Sequence, residues 1–237
     1  MRTIHEIELL KEIYDNPYPF IGQRNFNLLY CFMWNNFEKN IEEKNFENKD
    51  FAKMPSFREF VENKTSIKLA LSENWTWALG FGVEDEKELF LKFYSLLFEY
   101  EKAYPIEYST IVEKDKVILD IDQIKAISER PELFCIRGVS SIRAYIDGAI
   151  FFKERAKQIL TEEEKKILAF INSYKSQIIS GNNFETWDRV LLRKRMNINE
   201  FTCGNYPNSW VMSRFFKILE EETQLKLKSW DEIKNHS

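Results

Sequence analysis

Histidine is almost missing from this sequence: His5 and His236, near the two ends, are the only two in 237 residues. No His pair stands at metal-ligand spacing and no obvious general base lies mid-chain, so most histidine-dependent mechanisms are disfavoured. Cysteine is scarce too. Cys31, Cys135 and Cys203 are odd in number, far apart and without CxxC spacing. That pattern is not a secreted disulfide framework, and a reducing cytosol with buried free thiols is the expected setting. Seven glycines and six prolines supply few turns, which argues against a sandwich of many short strands and for long helices. No charge-free apolar run approaches the length of a membrane span. The N-terminal Met1-Arg2-Thr3-Ile4-His5-Glu6 lacks the apolar core of a signal peptide, so a soluble, untargeted chain is expected.

Other catalytic and binding patterns are incomplete. Gly80-Phe81-Gly82 has neither a third glycine nor a following Lys-Ser/Thr pair, and reads as a turn rather than a phosphate loop. Asp120 and Asp122 alternate beside a β-prone run and read as a solvent face rather than a metal or acid pair. The expectation is therefore a protein that is not an enzyme, with no catalytic residue, cofactor or metal assigned.

What the chain has in quantity is large apolar surface. Hydrophobic residues make up 44% and aromatics 15%, with twenty Phe, ten Tyr and six Trp: enough to fill a sizeable core with anchors to spare. Ile4, Ile7, Leu10 and Ile13 mark a first helix, ended by Asn16-Pro17-Tyr18-Pro19. Phe26, Leu29, Tyr30, Met33, Phe37 and Ile41 mark a second. Ser56 with Glu59 has capping-box spacing, as does Thr161 with Glu164. Asp85 opens a helix with Leu89, Phe93, Leu96, Leu97 and Tyr100 on one face and Phe90, Tyr94 and Phe98 on another, which predicts burial on more than one side or a partner.

Between Pro105 and Ile121 the period changes. Tyr108–Val112 and Lys116–Leu119 are short β-prone runs, predicting a small hairpin. Beyond it, four more helical stretches follow, including 183–195 and 208–222. The expected fold is mainly α, a helical bundle-like architecture with a small β-hairpin near mid-chain. It divides into an N-terminal helical half (1–105), a hairpin connection (106–120) and a C-terminal helical half (121–237). Phe57-Arg58-Glu59-Phe60 followed by Trp77, and Phe184-Glu185-Thr186-Trp187 followed by Trp210, are a faint internal echo, so a single domain built on a divergent repeat is the alternative.

The formal net charge is -4, which gives no general attraction to phosphate backbones. Glu84-Asp85-Glu86 and Glu162-Glu163-Glu164 stand at predicted helix starts, where the helix dipole favours each carboxylate by about 0.3–1 kcal/mol. The same six residues are the candidate partner-binding positions, since exposed carboxylates steer association with a basic protein. Arg189, Arg193, Lys194 and Arg195 form the one basic cluster, which makes nucleic-acid association through 189–195 the alternative function.

Arg130-Pro131-Glu132-Leu133-Phe134, Gly138, Ser140, Ile142, Ala144-Tyr145-Ile146 and Gly148 resemble a motif of bacterial immunity proteins from polymorphic-toxin and contact-dependent growth inhibition systems. Asn183-Phe184-Glu185-Thr186-Trp187 and Ser209-Trp210 resemble the aromatic and Ser-Trp elements that follow it. Cys135-Ile136-Arg137 and Ala149 depart from the pattern. The resemblance covers roughly the C-terminal half. It implies a stoichiometric inhibitor that binds a cognate toxin one to one and blocks its active site or substrate access, and it transfers no binding residue. With the cytoplasmic setting expected from the cysteines, the acidic balance makes a nuclease, basic for its substrate, the leading class of toxin.

Overall fold

The computed structural model describes residues 4–33, 57–70, 75–104, 119, 122, 125, 129, 137–175, 185–198, 206–229 and 231–232. Among the described residues the regular structure is ten helices and no strand. The hairpin expected at 106–120 lies outside the described residues apart from Leu119, as do Ser56, Trp34, Trp230, Cys135 and Cys203. The chain divides into two compact units, Met1–Asp115 and Lys116–Ser237.

Among its described residues the first unit holds six helices: α1 (Ile4–Asp15), α2 (Tyr18–Ile21), α3 (Phe26–Phe32), α4 (Phe57–Thr65), α5 (Trp75–Gly80) and α6 (Glu86–Ala103). Helix α2 sits where the sequence suggested only a break. Pro17 at its N-cap and Pro19 in its first turn are compatible with a helix start, because those amides have no intrahelical acceptor in any case. Asn25 caps α3, accepting from the Leu28 amide at 2.9 Å. Asp85 caps α6, accepting from the Glu88 amide at 2.8 Å. Gly80–Val83 is a turn closed by a 3.0 Å backbone bond, with Gly82 at a φ of 75°.

Helix α6 is the spine of this unit, packing against α3, α4 and α5. Both of its apolar faces are used internally. On one, Phe57 meets Trp75, Phe93 and Tyr100 edge-on with ring centroids 5.3, 5.9 and 5.5 Å apart. On the other, Tyr94 contacts Tyr14 and Phe90 at 4.9 and 4.7 Å. Edge-to-face and tilted pairs of this kind add about 0.5–1.5 kcal/mol each beyond their buried area.

The second unit contains α7 (Val139–Arg155), α8 (Glu162–Lys175), α9 (Trp187–Met196) and α10 (Asn208–Thr223). Helix α7 is buried along most of its length and packs on α9 and α10, while α8 packs on the same two. Gly138 stands at the N-cap of α7, and its φ of 152° and ψ of -174° favour a residue without Cβ. The predicted capping box at the start of α8 is present: the Glu164 amide donates to Thr161 Oγ1 at 3.2 Å, and the Thr161 amide donates to Glu164 Oε2 at 2.8 Å.

Candidate functional site

The second unit carries charge in its interior. Arg143 on α7 lies 3.3 Å from Asp147, one turn on, and 3.3 Å from Asp188 in the first turn of α9. Asp188 is fully buried and also accepts from Ser140 Oγ at 2.8 Å. Asp147 accepts from the Trp187 indole Nε1 at 3.0 Å and lies 3.7 Å from Lys175 at the end of α8. Burial pushes the Asp147 carboxyl above its ordinary range, and Arg143, Lys175 and the indole hydrogen bond oppose that push.

These two cations and two carboxylates fix α7, α8 and α9 to one another. A second buried pair, Lys153 with Glu164 at 2.6 Å, joins the end of α7 to the start of α8. At the far end of α8, the Tyr174 hydroxyl donates to Glu222 at 2.8 Å, and Arg195 pairs with the same carboxylate. Burial and that neighbour push the Tyr174 phenol up to about 12. Each group has a counter-charge or a hydrogen-bond partner, so the arrangement reads as a structural joint. Among the described residues no group of three or more His, Cys, Asp or Glu could hold a metal ion.

Near the start of α7 the same unit carries an exposed feature. The Asn208 side-chain amide donates to the Arg137 carbonyl at 3.2 Å, which sets the first turn of α10 beside the first turn of α7. From there Tyr206 and Trp210 project and stack on each other, with centroids 5.0 Å apart and planes 19° from parallel. Tyr206 is 39% and Trp210 46% exposed, in contrast to Trp75 and Trp187, which are buried. Two large rings held against each other in water form a pre-ordered apolar platform, the arrangement that binding surfaces use for anchors.

The six acidic candidates separate by role. Glu84 is exposed; Asp85 is exposed and caps α6; Glu86 accepts from the Asn27 amide of α3 at 2.8 Å. Glu162 and Glu163 are exposed, and Glu162 pairs with Lys165 at 2.6 Å, which holds its carboxyl below the usual range. Glu164 is buried against Lys153. Glu84, Asp85 and Glu86 belong to the first unit, and Glu162, Glu163 and Glu164 to the second. Of the basic cluster, Arg193 pairs with Glu185 at 2.8 Å and Arg195 with Glu222. Asp122 accepts from the Lys228 amide at 2.9 Å, while Asp120 lies outside the described residues.

Sequence reasoning did not single out the Tyr206–Trp210 pair, although the signal was present. The buried positions of α10 are Met212, Phe215, Phe216, Ile218, Leu219 and Thr223. At 3.6 residues per turn, Trp210 falls about half a turn from the middle of that stripe. Comparison of the chain with family models, curated proteins and solved structures gives no match.

Proposed function

We propose that this protein acts by binding another protein, as an inhibitor that neutralises a cognate bacterial toxin, with a nuclease as the leading class. The observation that carries the binding reading is the exposed, stacked Tyr206–Trp210 pair on a frame of buried ion pairs: rigid aromatic anchors lose little conformational freedom when a partner covers them. The choice of a toxin as partner rests on the resemblance of the segments around Gly138–Gly148 and Ser209-Trp210 to immunity-protein motifs. Glu84 and Glu163 are exposed carboxylates that can steer a basic toxin toward the complex, whereas Asp85 also caps α6 and Glu162 pairs with Lys165.

The alternative, nucleic-acid association through 189–195, has less support, because Arg193 and Arg195 already pair with carboxylates of the same chain. Co-expression with the product of the gene upstream tests the inhibitor reading. Growth rescue and a one-to-one complex are expected, and Trp210→Ala should weaken that complex by at least about thirtyfold, the equivalent of 2 kcal/mol at an anchor position. Absence of both rescue and complex refutes that pairing.

A further inference from the structure

The residues around the aromatic platform specify the chemistry of what docks there. We infer that Trp210 and Tyr206 receive an acidic protein face, one in which carboxylates surround an apolar contact. The inference rests on the protein-binding reading and concerns only the patch that covers the platform, where a toxin that is basic elsewhere would present carboxylates.

Helix α10 runs unbroken from Asn208 to Thr223, so residues four and seven positions beyond Trp210 share its face. Those residues are Arg214, half-buried, and Lys217, exposed. A third cation, the exposed Arg137, is brought to the same end of the unit by the bond from Asn208 to its carbonyl. From Tyr206 to Leu219 the chain contains no Asp or Glu; Glu220, Glu221 and Glu222 follow, and the exposed Glu221 continues the same face about 16 Å from Trp210 at 1.5 Å per residue. In a protein of net charge -4, the two turns that follow Trp210 are thus locally cationic.

Two further exposed carboxylates of this unit lie toward the other end of α7. Glu162 and Glu163 open α8 beside Glu164, whose partner Lys153 is near the end of α7, whereas Arg137 precedes its start. A helix of this length separates those ends by roughly 20–25 Å at 1.5 Å per residue, beyond the roughly 8 Å screening length of physiological salt.

Trp, Tyr and Arg are also the residue types that dominate interface energies. A nucleic acid fits the surface less well. Polyanion affinity grows with the number of phosphates neutralised, and three cations on an acidic protein give little. Tyr206 and Trp210 also cover one face of each other, which leaves less ring surface for bases to stack on.

The test uses the full-length protein and a fluorescein-labelled peptide of alternating glutamate and leucine, read by anisotropy at low salt. Wild type should bind the peptide, and added salt should weaken that binding. Trp210→Ala and the double variant Arg214→Glu/Lys217→Glu should each weaken it by about tenfold or more, while Arg214→Lys/Lys217→Arg should bind as wild type does. Circular dichroism of each variant separates lost binding from lost fold.

Two outcomes overturn the inference: no peptide binding by wild type, or binding unchanged in the correctly folded Trp210→Ala and charge-reversed variants. Displacement of the peptide by an oligodeoxythymidylate of equal charge, with tighter binding than the peptide itself, overturns it in favour of nucleic acid. The upstream gene product separates this failure from that of the inhibitor reading. A complex that survives charge reversal but not Trp210→Ala keeps the inhibitor and removes the acidic face. Absence of any complex, with peptide binding intact, does the reverse.

Discussion

The two units are built on different interiors. Among the described residues, the first buries aromatic rings around Phe57, Phe93 and Tyr94, and its one buried polar side chain besides tyrosines is Asn27. The second buries Arg143, Lys153, Glu164 and Asp188 together with Ser141 and Thr223. Ring packing adapts to small changes of shape, because its attraction is spread over many weak contacts. Buried ion pairs do not, since each charge depends on one counterpart at one distance. The unit that carries the exposed aromatic platform is thus the one whose helices are fixed by charge.

The sharpest way to break this contrast is to remove one buried charge. Lys153→Met should destabilise the protein by about 3–5 kcal/mol, by stranding Glu164, and Lys153→Met/Glu164→Gln should recover most of that loss. Gln retains the capping box while removing the charge. Urea unfolding followed by circular dichroism gives both values; a silent Lys153→Met would mean that the pair contributes nothing to the second unit.

A smaller effect, of opposite sign, is expected in the first unit. The Tyr94 hydroxyl is buried without a hydrogen-bond partner, and its ionisation is held far above the ordinary phenol value by burial, reinforced by Asp15. Tyr94→Phe keeps the ring contacts and removes the stranded hydroxyl, so stability should be unchanged or rise by up to about 1 kcal/mol. A loss of more than that would point to a partner for the hydroxyl and to a less purely aromatic core.

The smallest effect is a pH dependence in the second unit. The folded-state Asp147 carboxyl titrates above its ordinary value of 3.8, so the folded protein takes up that proton before the unfolded chain does. This group therefore adds stability as the pH falls from above its folded-state pKa toward 3.8. Asp147→Asn should flatten that part of the stability profile, measured by urea midpoints across mildly acidic pH. An unchanged profile would show that Asp147 titrates normally.

Local chemistry was legible in the sequence and distant pairing was not. The Thr161–Glu164 box and the Asp85 cap could be read because donor and acceptor lie within one turn. The two-faced burial of α6 followed from its apolar positions. Lys153 meets Glu164 across a turn, and Arg143 meets Asp188 across 45 positions, and no spacing rule announces either contact. Glu86 and Glu164 therefore looked equivalent to their exposed neighbours until folding gave one to the Asn27 amide and the other to Lys153. The outward position of Trp210 was readable from helical period alone.

One carboxylate, Glu164, has a consequence for how the chain can be lengthened. It ends one helix junction and begins the next, holding Lys153 with one oxygen and the Thr161 amide with the other. The turn between α7 and α8 is thus clamped from below, while its tip, Ile159, stands 89% exposed. Doubling a loop whose ends are already held costs only about 0.6 kcal/mol. That tip is a natural point for grafting a reporter segment, because the alignment of α7 and α8 is fixed by the ion pair beneath it and not by the length of the turn.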